Sequence, residues 1–190
     1  MSASFQRLEP GLEHQSDAPD VPDPETLRPE LDILRERADE LDERVRGILT
    51  QDRPLDIRPA YQGDPFDTTP RSPERRTWVR AIGEVPDDLV CHQALLAYAS
   101  DVGLLDAALR PHGMNVRDPR VLVASLDHSM WFHRPFRLDD WLLYDVQSPA
   151  AAGGRGFAHG GFFTRSGERV ASVAQEGLTR VRRSKKEREG

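Results

Sequence analysis

The feature that most constrains this chain is a helix with almost no polar side. "DDLVCHQALLAYASDVGLLDAAL" opens at Asp87 or Asp88, either of which can cap its free amide groups, and Pro111 and Gly113 stop it. Leu89, Val90, Cys91, Ala94, Leu95, Leu96, Ala97, Tyr98, Ala99, Val102, Leu104, Leu105, Ala107 and Ala108 leave hardly any face for water. A helix of this kind is buried on most sides, so the rest of the chain has to wrap it.

The wrapping is written in strand-like segments on both sides of the helix. "PLDIRPAY" and "ERRTWVRAIGEV" precede it, separated by the Pro- and Thr-rich loop "DPFDTTPRSP". "RVLVASLDHSMWFHRP", "DDWLLYDVQSPAAA", "RGFAHGGFFTR" and "ERVASVAQEGLTRVRR" follow it, with "GG" at Gly153 and "SG" at Ser166 suited to tight hairpin turns. Strands, one buried helix and a four-strand meander predict an α+β chain, an antiparallel sheet curled around a central helix. That is the outline of a hotdog fold, expected over residues 51–182.

Before residue 51 the patterning is different. Residues 11–29, with "SDAPDVPDPETLRPE", are rich in Pro, Asp and Glu and have no hydrophobic period, which reads as a linker. Residues 30–50 place Leu31, Leu34, Ala38, Leu41, Val45 and Ile48 at alternating steps of three and four, an amphipathic helix with one narrow stripe. Three heptads with Ala38 in the seam are poor material for a dimerising coiled coil, so the helix is expected to pack on its own domain. The basic end, 183–190, reads as a solvated tail.

With 190 residues, 37% hydrophobic and 31% charged, the chain reads as one globular, soluble domain with an extra segment. A net charge of −6 argues against nucleic acid as the main partner. No apolar run has the length of a membrane span, and the polar start "MSASFQRLEPGLEHQ" has no signal-peptide core. The single cysteine, Cys91, fits a reducing compartment, so a cytoplasmic location is expected.

The densest motif is "VASLDHSMWFHRPF", from Val121. On one continuous strand Ser125, Asp127, Ser129, Trp131 and His133 share a face, while His128, Met130 and Phe132 share the other. His128 and His133 then point to opposite sides and cannot close on one ion, so no metal site is expected. Cys91 and His92, adjacent on a helix and about a quarter turn or more apart, do not make a nucleophile and its base. The glycine-rich "AAGGRGFAHGGF" opens no helix and lacks the geometry of a phosphate loop.

Asp101 stands out because it interrupts the apolar helix, with Ala94, Ala97, Tyr98, Leu104, Leu105 and Ala108 around it at helical spacing. A carboxylate there needs hydrogen-bonding partners. Gln175 shares a strand face with the small residues Ala171, Val173 and Gly177, and Ser125 offers a hydroxyl. From spacing alone, a purely architectural Asp101 stays open beside a functional one.

These residues lie in segments that resemble a known family. "HQALLAYASDVGLLDAALRPHG", "ASLDHSMWFHRPFRLDDWLLYDVQSPAAAGGRGF" and "ERVASVAQEGLTR" are similar to the C-terminal half of type II acyl-CoA thioesterases, the double-hotdog family. The resemblance implies hydrolysis of fatty acyl-CoA to fatty acid and CoA without a metal or redox cofactor. It also implies a hydrogen-bonded set of Asp101, Ser125 and Gln175 that activates water, with "AQEG" standing where the family has "VQEG". Family members carry a complete first hotdog, so residues 1–10 are expected to stand for that domain's last strand. A chain of this kind is expected to form a homodimer or higher oligomer in place of the missing half. A non-catalytic acyl-CoA-binding or assembly module is the alternative. An enoyl-CoA hydratase needs an Asp/His pair, which this set lacks.

Overall fold

The structure, a computed structural model, describes residues 2–7, 9–61, 63–64 and 66–182. Its strands are β1 (Leu55–Pro59), β2 (Glu74–Ala81), β3 (Val121–Ser125), β4 (Ser129–Phe132), β5 (Leu142–Ala152), β6 (Arg155–Thr164) and β7 (Arg169–Val181). They form one seven-stranded sheet in the order β1-β2-β5-β6-β7-β3, with β4 also on β7. Every pairing is antiparallel. Gly153 and Gly154, at φ 60° and 74°, make the tight β5–β6 turn, and Gly167, at φ 86°, helps make the β6–β7 turn. The first post-helix segment is not part of a meander. It crosses the sheet and pairs with the last strand, so β3 and β4 are two pieces of one edge.

The helix is α3 (Leu89–Ser100), capped by Asp88, whose carboxylate accepts from the Val90 amide at 2.9 Å. It is shorter than its apolar run. The chain turns at Asp101–Leu105, with Gly103 at φ 75°, and resumes as the single turn α4 (Asp106–Leu109). Arg75 packs so closely on Gly103 that a Cβ there would meet its guanidinium at 2.6 Å. Leu96, Ala99, Leu104 and Ala107 bury against Val79, Leu142, Tyr144, Val146, Phe162 and Val173 of the inner sheet face. This is the hotdog arrangement. The expected all-round burial of the helix fails, however: Val90 is 67% and Tyr98 53% exposed, and Ala94 and Ala97 are exposed beside them.

The cap is testable. Asp88→Ala removes the acceptor for the first turn and should lower stability by about 1 kcal/mol, or about 2–4 °C in melting temperature. An unchanged melt would show that tertiary packing alone holds this end.

Part of the outer face of the sheet is buried as well. Leu27, Trp78, Trp141, Leu143 and Phe163 form a second core cluster, with Ala18 and Val21 packed on it. Residues 11–29 are therefore not a free linker but a strap across the sheet. The Trp78 indole donates to the Pro22 carbonyl at 2.9 Å, that of Trp141 to the Glu25 carboxylate at 2.9 Å, and Gln15 to the Gly167 carbonyl at 2.8 Å. Prolines suit this path, because they hold the backbone extended without a ladder partner.

Residues 30–50 are two helices rather than one, α1 (Glu30–Glu36) and α2 (Glu43–Thr50). A 3-10 turn at Ala38–Glu40 separates them, and the Asp42 carboxylate caps α2 by accepting from the Arg44 amide at 3.0 Å. Leu34 and Leu41 are buried while Ile48 is 65% exposed, so the stripe bends into the domain at the joint. Residues 2–7, 9 and 10 form no strand, in contrast to the strand expected over 1–10. The tail at 183–190 lies outside the described residues. Among the described residues no helix is long and apolar enough to cross a membrane.

Candidate active site

Asp101 follows the last residue of α3, and its own amide donates to the Ala99 carbonyl, which leaves the carboxylate projecting and exposed at the helix end. Gln175 reaches it from β7. Only 1% exposed, Gln175 donates from Nε2 to Asp101 Oδ1 at 3.2 Å. Its other amide atom, Oε1, is buried and has no hydrogen-bond partner among the described residues. A buried acceptor left in that state costs about 1–3 kcal/mol unless a donor comes to it.

Small residues let the helix end come this close. Ala158 lies opposite Gln175, and Gly156 opposite Gly177. A Cβ on Gly177 would stand 2.2 Å from Leu105 Cδ1, and one on Gly156 2.6 Å from Ala108 Cβ. The turn after Asp101 therefore rests directly on sheet backbone.

Ser125 ends β3 opposite Gly177, on the face that also carries Gln175. Cross-strand diagonals of this kind have Cα atoms roughly 7–8 Å apart. Its hydroxyl is exposed and, among the described residues, bonds to neither Asp101 nor Gln175. The structure thus joins two of the three expected residues and sets the third one step along the sheet.

The edge strand departs from simple alternation. Ser125 pairs with Gly177 but Ser129 with Ala174, so four steps on the edge match three on β7. The extra residue makes a bulge, in which the Leu126 amide donates to the Glu176 carbonyl at 2.9 Å and Asp127 Oδ1 accepts from the Glu176 amide at 2.8 Å. Ser125, Met130 and Phe132 consequently share the inner face, while Ser129 and Trp131 look outward, which corrects the expected grouping. The two histidines still point apart. His128 Nε2 lies 2.8 Å from Ser100 Oγ on the helix, and His133 Nε2 lies 2.8 Å from Ser172 Oγ on the outer face. Burial, with Arg169 and Arg134 close by, pushes the His133 pKa down.

Two further groups, silent in the sequence pattern, brace the helix end. Tyr144 donates its hydroxyl to the Ser100 carbonyl at 2.8 Å from inside the sheet. Burial raises its pKa, with Asp101 adding to the rise, so it stays a neutral donor. Ser100 itself is fully buried and sits between Tyr144 and His128.

Residues 45–178, which include all three expected site residues, match the acyl-CoA thioesterase family model. The chain belongs to the acyl-CoA thioesterase family. It is 40% identical over 180 residues to acyl-CoA thioesterase 2 of Haemophilus influenzae, covering 95% of this chain and 63% of that protein. It is 37% identical over 188 residues to mouse acyl-coenzyme A thioesterase 8, covering 95% of this chain and 58% of that one. Among solved structures, the acyl-CoA thioesterase II TesB2 of Mycobacterium marinum is 38% identical with a TM-score of 0.69, over 93% of this chain and 60% of that one. A hot dog fold protein of Alicyclobacillus acidocaldarius, 16% identical with a TM-score of 0.64, shares the fold. The chain thus spans under two thirds of the length of these relatives.

The other sequence candidates take structural positions in this thioesterase-family chain. His92 is buried and its Nδ1 accepts from the Leu138 amide at 3.0 Å, which ties α3 to the loop before β5. Cys91 Sγ lies 3.9 Å from Asp88 Oδ2, at the helix start. "AAGGRGFAHGGF" is the β5–β6 hairpin.

Proposed function

We propose that this chain hydrolyses fatty acyl-CoA thioesters to fatty acid and CoA, with Asp101 and Gln175 holding and activating the attacking water. The observation that carries the reading is the unpartnered, buried Gln175 Oε1 beside the Asp101 carboxylate. A water admitted beside the pair would donate a hydrogen to each and keep its lone pair for the thioester carbonyl carbon. Asp101 takes the proton as the C–O bond forms. The tetrahedral oxyanion then collapses, the C–S bond breaks, and CoA leaves as a thiolate. An ordinary thiol has a pKa near 8.5, so this leaving group needs little help from an acid. Ser125, on the same sheet face, helps to fix the water beside the carbonyl. A Ser125 acyl-enzyme is disfavoured, because no base is bonded to its hydroxyl among the described residues.

The test is release of free thiol from acyl-CoAs of several chain lengths by the purified chain. Steady release that scales with protein supports hydrolysis. Tight binding of a long-chain acyl-CoA without release would favour the non-catalytic binding module.

A partner belongs to this reading. The exposed side of α3, with Val90, Ala94, Ala97 and Tyr98, is apolar, and Leu126 and Phe132 are exposed on the edge of the sheet. The outer edge of β3 and β4 pairs with no strand among the described residues. Apolar surface beside an open edge invites another sheet, and we propose that a second copy of the chain covers it. Specific activity should then fall on dilution through the dissociation range, as followed by light scattering. Activity that stays constant in a sample shown to dissociate would place the whole site within one chain. A cytoplasmic setting, with Cys91 reduced, completes the proposal.

A further inference from the structure

The geometry points to His128 as a positioning residue for this hydrolysis, one that fixes the strand carrying Ser125 against the helix end carrying Asp101. The inference rests on the hydrolytic reading above and adds a residue to its site. It starts from the hydrogens available to Ser100. This hydroxyl has one, and it goes to the Ala97 carbonyl at 2.8 Å. The 2.8 Å contact with His128 Nε2 therefore requires the imidazole to donate. The ring nitrogen that carries the hydrogen toward the helix is therefore Nε2.

The bulge is what makes this contact possible. Ser125 faces inward, so on a regular strand His128, three residues later, would face outward. The extra residue turns it back to the helix. Asp127 pins the same bulge to the Glu176 amide, one residue from Gln175. Ser100, which precedes Asp101, is thus held by Tyr144 through its carbonyl and by His128 through its hydroxyl. Gln175 already binds Asp101 directly, whereas Ser125, among the described residues, hydrogen-bonds to neither of them. The β3–β7 ladder sets Ser125 relative to Gln175, and the His128–Ser100 bond adds a direct tie from this edge to the helix end that carries Asp101. A shift of about 1 Å between such groups is enough to lower a rate by about 100-fold.

Removing the bond from either side should therefore slow the chemistry more than it weakens binding. For His128→Ala and for Ser100→Ala we expect kcat to fall by about 10- to 100-fold with KM changed by no more than about twofold. The double variant should be no slower than either single one, since both remove the same bond. His128→Gln, whose amide N–H can occupy the place of Nε2–H, should recover most of the rate. Thermal melting of each variant separates these effects from unfolding. Equal losses in His128→Ala and His128→Gln, or losses that multiply in the double variant, would overturn the proposal. Nitrogen-15 shifts of the imidazole give a readout independent of turnover: Nε2 protonated in the parent chain, and altered in Ser100→Ala. A Nδ1–H tautomer would overturn the proposal even in an active enzyme. If the parent chain releases no thiol at all, the hydrolytic reading fails, and the ring shifts still report whether His128 holds the helix end.

Discussion

Asp101→Asn should reduce turnover of acyl-CoA by about 10²–10⁴-fold and leave the fold unchanged. The asparagine keeps the shape and keeps an oxygen for the Gln175 Nε2 donor, now 3.2 Å from Asp101 Oδ1, but an amide cannot take a proton from water. Because Asp101 is exposed, its exchange should move the melting temperature little. Gln175→Ala should also lose activity, and its combination with Asp101→Asn should fall well short of the product of the two, because the pair acts on one water. Thiol release within threefold of the parent by Asp101→Asn would remove the carboxylate from the mechanism.

The largest effect on stability is expected at Phe162. Fully buried on β6, its ring stacks on Tyr144 at 4.0 Å between centroids and 13° between planes. Phe162→Ala deletes this contact and opens a cavity in the inner core, a change that typically costs about 3–5 kcal/mol. For a domain of this size the melting temperature should fall by roughly 6–20 °C. Tyr144 loses its support in the same step, so the brace on the Ser100 carbonyl should loosen before the domain melts. Phe162→Leu, which keeps most of the volume, should recover much of the stability. A drop below about 3 °C for Phe162→Ala would mean that neighbouring side chains collapse into the space.

The sheet segments, their turns and the helix start were legible in the sequence because period-two alternation, glycine pairs and a capping Asp are local signals. Burial was not. An apolar helix announces that it will be covered without saying by what, and here one side of α3, at Val90 and Tyr98, meets solvent within the chain. Alternation also fails at a single inserted residue. The bulge after Ser125 reverses the facing of Ser129 and Trp131, and only the register against β7 reveals it. Asp101 and Gln175 were singled out as polar residues on apolar or small-residue faces, and the family resemblance joined them. Ser100 and Tyr144 were missed, since each looks ordinary on its own element, and His128 was weighed only as a metal ligand because its contact with Ser100 appears only where the elements meet. The helix break at Gly103 had a signal, a glycine after Asp101, which the long apolar run masked.

The strap over the outer face changes where this protein can be dissected. By composition the boundary lies near residue 50, and a shortened version beginning there would keep every strand. It would also strip the cover from Trp78, Trp141, Leu143 and Phe163 and leave both indole N–H groups without their acceptors at Pro22 and Glu25. A shortened version that keeps this cover and its bond to the β6–β7 turn therefore begins on the N-terminal side of Gln15. A protease cut within residues 15–27 would be seen at once, as two tryptophans moving from a dry interface into water.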